Sequence, residues 1–428
     1  MLKNHPKGLM TLFFTEMWER FGFYTMLAVF VLYMDEVFGW DDSVKGGIYG
    51  MFLALVYFTP IAGGWIADRF LGYRRTILIG GAVLGAGYAL LALSGKDSLW
   101  LFYTALGVMV IGNGLFKANI SVLVGNLYEP DSKFKDVGYN IFYMGINLGA
   151  FVAPLAATWL HAHFGSYNAA FGAAAVGMLL SLLVFEVFKR NYMHGDNGQA
   201  AGESAHDKPD EERASPEKER GQIMALGIIF LIVIFFWMSF HQNGFALTLF
   251  AKRSVVVHDL LRPETYQTFN PLFILFLTPL VVMFFNWLRA RGKEPSSPAK
   301  IGIGMFISAL AMVIMIVASF MGGDADANNM SPMWLVSTYF VITIGELFLS
   351  PMGLSFVSKV APARMRGLMM GGWFGATAVG NYLSGFIGKF YSQLPHHVFF
   401  GILTVLLIAS ALMVRLMLDR LKRASDGA

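Results

Sequence analysis

Cysteine is absent from the 428-residue chain, which rules out disulfides, thiolate metal sites and a cysteine nucleophile and leaves the redox compartment open. Charge is scarce too: Asp, Glu, Lys and Arg supply 14% of residues, against roughly 25% in an average soluble domain. With 56% hydrophobic residues beside that shortage, a soluble globular protein is excluded. There is no HExxH, no paired Asp in the centre of an apolar run and no nucleophile motif, so enzymatic chemistry finds no support. The segment Met1–Leu12 carries Lys3 and Lys7 but no small-residue cleavage site behind a short apolar core, so the first helix is expected to be retained. A net charge of +4, with its basic residues in loops, gives no reason to invoke nucleic acid.

What the chain does contain is apolar runs, such as Ile223–Trp237 and Ile301–Met321, repeated along its whole length. In hydrocarbon such runs can satisfy their backbone N–H and C=O groups only as helices. Gly, Pro and charge clusters divide them into about twelve spans. Those of the first half lie near 8–34, 47–69, 74–94, 98–127, 135–160 and 166–189. Those of the second half lie near 221–252, 268–290, 299–321, 331–361, 366–392 and 396–418. Residues 191–222, rich in Gly, Ser, Asp, Glu and Lys, cannot bury enough apolar surface to fold alone and read as a solvated linker. The expected architecture is all-α and polytopic: a six-helix bundle over 1–190, a cytoplasmic polar linker over 191–222 and a second six-helix bundle over 223–428, with a central cavity. No sequence repeat links the halves. Placing the N-terminus in the cytosol puts about 24 of the 32 basic residues in the termini and even-numbered loops, among them Arg69, Arg74, Arg75, Arg289, Arg291 and Lys293. Both termini are therefore expected inside.

Few ionisable residues remain deep in the spans: Glu16, Glu19 and Arg20 in span 1, Lys117 in span 4, His241 in span 7 and Glu346 in span 10. Each costs a few kcal/mol near the bilayer centre unless paired or wetted, so each is a candidate functional group. At about 1.5 Å rise per residue, Glu16 and Lys117 fall roughly 7 Å to the cytosolic side of their midpoints, while Arg20 and Glu346 fall near the midplane. Spacings of three and four residues put Glu16, Glu19 and Arg20 on one helix face, with Tyr24 a further turn along. Three carboxylates face two permanent cations, so complete pairing leaves one carboxylate that is cheaper to protonate than to bury ionised. A cargo bearing its own carboxylate could pair with Arg20 or Lys117 and displace Glu16 or Glu19, linking cargo binding to proton binding. The plainer reading is a structural ion-pair cluster that fixes helix packing.

Four stretches carry a family resemblance. Span 1 reads Glu16-Met17-Trp18-Glu19-Arg20-Phe21-Gly22-Phe23-Tyr24; span 2 and its loop contain Gly63-Gly64 and Asp68-Arg69 before Gly72, Arg74 and Arg75. Span 5 reads Phe142-Tyr143-Met144-Gly145-Ile146-Asn147-Leu148-Gly149, and span 10 contains Gly345-Glu346 before Ser350-Pro351. Weaker matches are Phe116-Lys117-Ala118-Asn119, Asn270-Pro271 and Trp373-Phe374. Together these resemble the proton-dependent oligopeptide transporters, a branch of the major facilitator superfamily. The resemblance implies twelve transmembrane helices in two bundles and proton-driven import of di- and tripeptides across a bacterial inner membrane by a functional monomer without cofactors. It further implies that Arg20, Lys117 and Asn147 receive the peptide carboxyl end and Glu346 the amino end. Tyr24, Tyr57, Trp237, Asn270 and Trp373 would line the pocket, although helix packing explains such aromatics equally well. Proton coupling would rest on Glu16, Glu19, Arg20 and Lys117, and Asp68 with Arg69 would latch the cytosolic side, with His241 at the outer gate.

Departures from the family pattern are also visible. Phe23 stands where a second tyrosine is usual. An Arg commonly found one turn beyond the motif, and its acidic partner in span 7, are replaced by Leu27 and His241, so the outer gate is not the usual ion pair. His241, with an ordinary pKa of about 6.5, is either a titrating group or a neutral hydrogen-bonding histidine. Gly50 lies near the place of a span 2 histidine found in animal relatives, and only the polar linker stands where many bacterial relatives carry two extra helices. The competing reading is a proton-coupled carrier of nitrate or another organic anion on the same fold, for which a midplane carboxylate facing the cargo has little use.

Overall fold

The computed structural model describes residues 5–129, 132, 134–196, 216–259, 261–362 and 365–426. Helices account for nearly all of the described chain. They run α1 Lys7–Glu36, α2 Asp42–Phe58, α3 Pro60–Ile66, α4 Tyr73–Ala92, α5 Leu99–Gly125, α6 Lys135–Phe164 and α7 Asn168–Val187. After residues 197–215, the part of the expected linker outside the described residues, come α8 Pro216–Phe240, α9 Ala246–Arg253, α10 Phe269–Ala290, α11 Ser297–Met321, α12 Met333–Val360, α13 Arg366–Gly388 and α14 His396–Asp426. Helix α8 therefore begins inside the segment read as linker, and α14 runs past the expected end of span 12.

Ten membrane-crossing segments are long and apolar enough to be recognised by hydropathy among the described residues. Helices α1 and α13 fall below that threshold yet are long enough to cross, which gives the twelve expected spans. Helix α1 carries its charges because it has little lipid-facing surface: Glu16, Glu19, Arg20 and every residue from Thr25 to Met34 are buried.

The chain forms two compact units. In unit 1, residues 1–39 and 55–211, α1 packs on α6 and α7, α4 on α5 and α7, and α3 on α5. In unit 2, residues 40–54 and 212–428, α11 packs on α12 and α14, and α8 on α13 and α14. The first turns of α2, up to Ala54, thus cluster with unit 2, while its last turn and α3 cluster with unit 1.

Two spans are interrupted, and each break leaves carbonyls that lipid cannot satisfy. Span 2 changes from α2 to α3 at Thr59-Pro60: Pro60 has no N–H for the Val56 carbonyl, which instead accepts from Asn113 Nδ2 at 2.9 Å. Span 7, expected as one helix, breaks into a 3₁₀ turn over His241–Gly244 before α9. Side chains take up the carbonyls there: Tyr49 Oη donates to His241 O at 3.0 Å, and Tyr339 Oη and Thr248 Oγ1 to Asn243 O at 3.2 and 2.9 Å. Outside the spans, Glu294 accepts from Arg289 and from Lys300, which together hold its carboxyl down at about 2 and staple the α10–α11 loop.

Gly63 of α3 lies directly against the Gly114 carbonyl of α5, and Asn119 Nδ2 donates to Gly63 O at 3.1 Å, so no side chain fits at this crossing. Gly63→Val is expected to cost about 1–3 kcal/mol through overpacking, read as a lower apparent Tm in detergent. Gly64→Ala, where an added Cβ meets nothing within 4 Å, should leave Tm unchanged.

Candidate functional site

Unit 1 gathers the charged residues of α1 and α5 into one network. Arg20 donates through Nε and Nη2 to the two oxygens of Glu19, its neighbour in sequence, and lies 3.6 Å from Glu16. Lys117 Nζ donates to Glu16 Oε1 at 3.0 Å. Glu16 and Glu19 are fully buried, whereas the Lys117 side chain keeps 31% of its surface exposed. The two carboxylates and two cations balance, so the excess carboxylate expected from the sequence does not lie here.

Asn113 of α5, missed in the sequence, supports the network: its Oδ1 accepts from Arg20 Nη2 at 3.4 Å while its Nδ2 donates to Val56 O at 2.9 Å. An amide one turn before Lys117 on the same helix face was the available signal. Phe23, the position lacking a hydroxyl, offers its ring to Arg20 at 4.8 Å, a cation–π contact in place of a hydrogen bond. Tyr24 is half-buried and packs edge-on against Phe23, and Tyr57 is half-buried on α2. Asn147 is buried but donates to Tyr143 O of its own helix at 3.0 Å and bonds neither Arg20 nor Lys117.

Unit 2 holds the odd carboxylate. Glu346 of α12 is 9% exposed and accepts from Asn270 Nδ2 of α10 at 2.8 Å. The same amide nitrogen donates to Thr343 Oγ1 at 3.0 Å, and Thr343 lies one turn before Glu346. Among the described residues Glu346 forms no ion pair, so its charge is met by a neutral amide alone. Trp373 is buried with its ring against Gly353 of α12, a packing position. Trp237 stacks on His241 at 5.6 Å and carries a buried Nε1 without a hydrogen-bond partner.

At the start of α2, unit 2 contains a second charged network that the sequence did not suggest. Arg253, the last residue of α9, donates to both oxygens of Asp42 at 3.1 Å and to Ser392 Oγ at 2.8 Å. Lys45 Nζ, fully buried, lies 2.7 Å from Asp42 Oδ1 one turn along, and Ser392 donates to Asp42 as well. Asp42 opens α2 and precedes the span expected from residue 47, because polar residues come before the apolar stretch. A Cβ at Gly50 would stand 2.6 Å from the Tyr382 carbonyl of α13, which explains why no histidine occupies that position. His241 contributes its carbonyl to Tyr49, and its ring is buried beside Trp237 and Phe240.

A π-helical turn over Ala67–Leu71 continues α3 and carries Asp68 and Arg69, the pair expected to latch the cytosolic side. Asp68 accepts from Tyr73 Oη at 2.7 Å, and Arg69 lies over the Trp65 ring at 6.0 Å. The longer connection is made by Arg74, which pairs with Glu186 of α7 and donates its backbone N–H to Asp196 at 2.9 Å.

Removing Arg20 alone leaves Glu19 charged and buried. Arg20→Leu is expected to destabilise the protein by about 3–5 kcal/mol, and Glu19→Leu with Arg20→Leu by clearly less. Unfolding followed in detergent for both variants checks this; equal losses would show that the pair carries no coupling.

Comparisons with known proteins identify the family. The POT family profile matches residues 74–206 and 206–405. The chain is 31% identical to the peptide transporter YePEPT of Yersinia enterocolitica, over 90% of this chain and 88% of that protein. It is 30% identical to dipeptide and tripeptide permease A of Escherichia coli, over 90% and 84%. Among solved structures, a mutant POT peptide transporter in complex with alafosfalin shares 30% identity and a TM-score of 0.89, over 100% of this chain and 97% of that one. A POT family transporter in complex with 5-aminolevulinic acid shares 26% identity and a TM-score of 0.85, over 98% of each. A neutralised charge cluster on α1 and α5, a solitary buried carboxylate on α12 and these matches lead to one conclusion: the chain is a multi-pass membrane protein of the POT family, a transporter and not an enzyme.

Proposed function

We propose that this transporter imports di- and tripeptides into the cytosol by proton symport and alternating access. The observation that carries the reading is Glu346, a buried carboxylate with an amide partner and no cation. A buried charge of this kind is expensive until a proton or a cationic ligand meets it, and a peptide's terminal ammonium is such a ligand. Arg20 and Lys117 are fixed cations that suit a peptide's terminal carboxylate. A peptide carboxylate can take over a hydrogen bond now made by Glu16 or Glu19, and the released carboxylate then accepts a proton, which links the two cargoes. Asn147, which now bonds its own helix, can turn its amide to the same carboxylate.

The named activities of the curated relatives support peptides as cargo. Transport of nitrate or another organic anion is the weaker reading, because an anionic cargo gives Glu346 no counter-charge. The distribution of Lys and Arg supports a bacterial inner-membrane orientation with both termini cytosolic. A single chain holds both charged subsites, which supports a functional monomer whose only coupling partner is the proton.

The Asp42–Arg253–Ser392 network does the work of an outer latch in place of the absent Leu27/His241 ion pair. It ties the first turns of α2 to α9 and to Ser392, and the transport cycle is expected to need these groups to part in turn.

In proteoliposomes under an inward proton gradient, Glu346→Ala is expected to lower uptake of an unmodified dipeptide at least about tenfold. Undiminished uptake would favour the anion carrier. Glu19→Gln should retain peptide counterflow and lose gradient-driven accumulation; full accumulation removes Glu19 from coupling. Since the chain has no cysteine, Asp42→Cys with Ser392→Cys can be oxidised selectively. Uptake should stop on oxidation and return on reduction, and transport unaffected by a confirmed crosslink would exclude the latch.

A further inference from the structure

The first turns of α8 and the last turns of α14 enclose a cavity of about 280 Å³ lined by Gly221, Gln222, Met224, Ile228, Arg420 and Arg423. Both helices belong to unit 2, and the change from charged residues (Glu219, Arg220, Asp419, Arg420, Lys422, Arg423) to long apolar runs at this end of both helices is the pattern of a membrane interface, where the cavity lies.

Its chemistry is mixed in an informative way. Gln222 is 6% exposed, and among the described residues its Oε1 is buried with no hydrogen-bond partner. A buried acceptor left this way costs about 1–3 kcal/mol unless a donor reaches it. A Cβ at Gly221 would meet nothing within 4 Å, so the space beside Gln222 is open. Arg420 and Arg423, three residues apart, share one face of α14, and Arg423 Nε is steadied by Asp419 O at 3.3 Å. Arg220 and Lys422 add positive charge at the same helix ends, against Glu219 and Asp419. Just inside this rim the surface turns apolar, with Met224 51%, Leu412 57% and Leu416 86% exposed.

We propose that this cavity binds the headgroup of an anionic glycerophospholipid, with the phosphodiester on Arg420 and Arg423, a headgroup hydroxyl donating to Gln222 Oε1, and the acyl chains along Met224, Leu412 and Leu416. Two guanidinium groups suit a phosphate oxygen pair, and basic pockets between helices at the bilayer edge are where such headgroups are held. The hydroxyls of a glycerol headgroup answer the unpartnered acceptor, and its net negative charge answers the arginines. A zwitterionic ethanolamine headgroup supplies a donor but cancels the charge. The site lies apart from the groups assigned to peptide and proton and needs only that the chain spans a membrane.

Native mass spectrometry of the full-length protein, delipidated and then titrated with phosphatidylglycerol or phosphatidylethanolamine, tests the assignment. Phosphatidylglycerol is expected to bind at least about fivefold more tightly, and Arg420→Gln with Arg423→Gln to remove that preference. Gln222→Leu should weaken phosphatidylglycerol without touching phosphatidylethanolamine. Equal retention of the two lipids by the unaltered protein, or an unchanged preference in the double variant, overturns the proposal. Free glycerol phosphate binding as well as the lipid does so too, because the site would then serve a soluble phosphate. The paired Arg420→Lys and Arg423→Lys variant, which keeps the charge and loses the planar fork, should retain an intermediate preference.

Discussion

The protein depends on keeping Arg20 and Glu19 joined in the middle of a lipid-embedded helix bundle. A charge stranded in hydrocarbon costs more than any single packing contact returns, so the surroundings of α1 are arranged around this pair. The helix is enclosed by α6 and α7 until its outer half has almost no exposed surface. Asn113 fixes the guanidinium on one side, and the Phe23 ring meets its face on another. Lys117 then neutralises Glu16 from α5 while remaining partly open, so the network is balanced at rest and still within reach of a competing carboxylate.

Unit 2 follows a different rule. Its central carboxylate has no cation, and the compensation is a single amide from Asn270. Unit 1 thus holds a balanced charge cluster, and unit 2 a carboxylate without a cation among the described residues. The interruption of span 7 serves the same unit: the carbonyls it frees are taken up by Tyr49, Tyr339 and Thr248, and Tyr49 brings the first turns of α2 with it. Those turns are tied twice, by the hydroxyl to His241 and by the Asp42 carboxylate to Arg253 and Ser392, which makes them the natural place for a reversible attachment.

Much of this was legible before folding. The spans, the charge cluster of α1, Lys117 and Glu346 all stood out because an ionisable residue in an apolar run is rare and expensive. Hydropathy alone understates α1 for the same reason: the charges that matter dilute the signal that marks a span. Asn113, Thr343 and Ser392 were invisible, since neutral amides and hydroxyls are common in membrane helices and only their neighbours reveal a role. Trp373 and Asn147, named for the pocket by motif, have partners that no motif shows: Trp373 packs against Gly353, and Asn147 bonds its own helix. The Asp42–Arg253 network joins residues far apart in the chain from two polar segments that each read as loop.

Composition and periodicity decided that the chain spans a membrane as helices, because unpaired backbone groups have no alternative in lipid, and they picked out which buried charges needed a reason. Which charge meets which partner was decided by folding alone. Pairing depends on helix rotation, on breaks such as His241–Gly244 and on backbone approach at Gly50 and Gly63, and these follow from contacts between distant segments that no local pattern encodes.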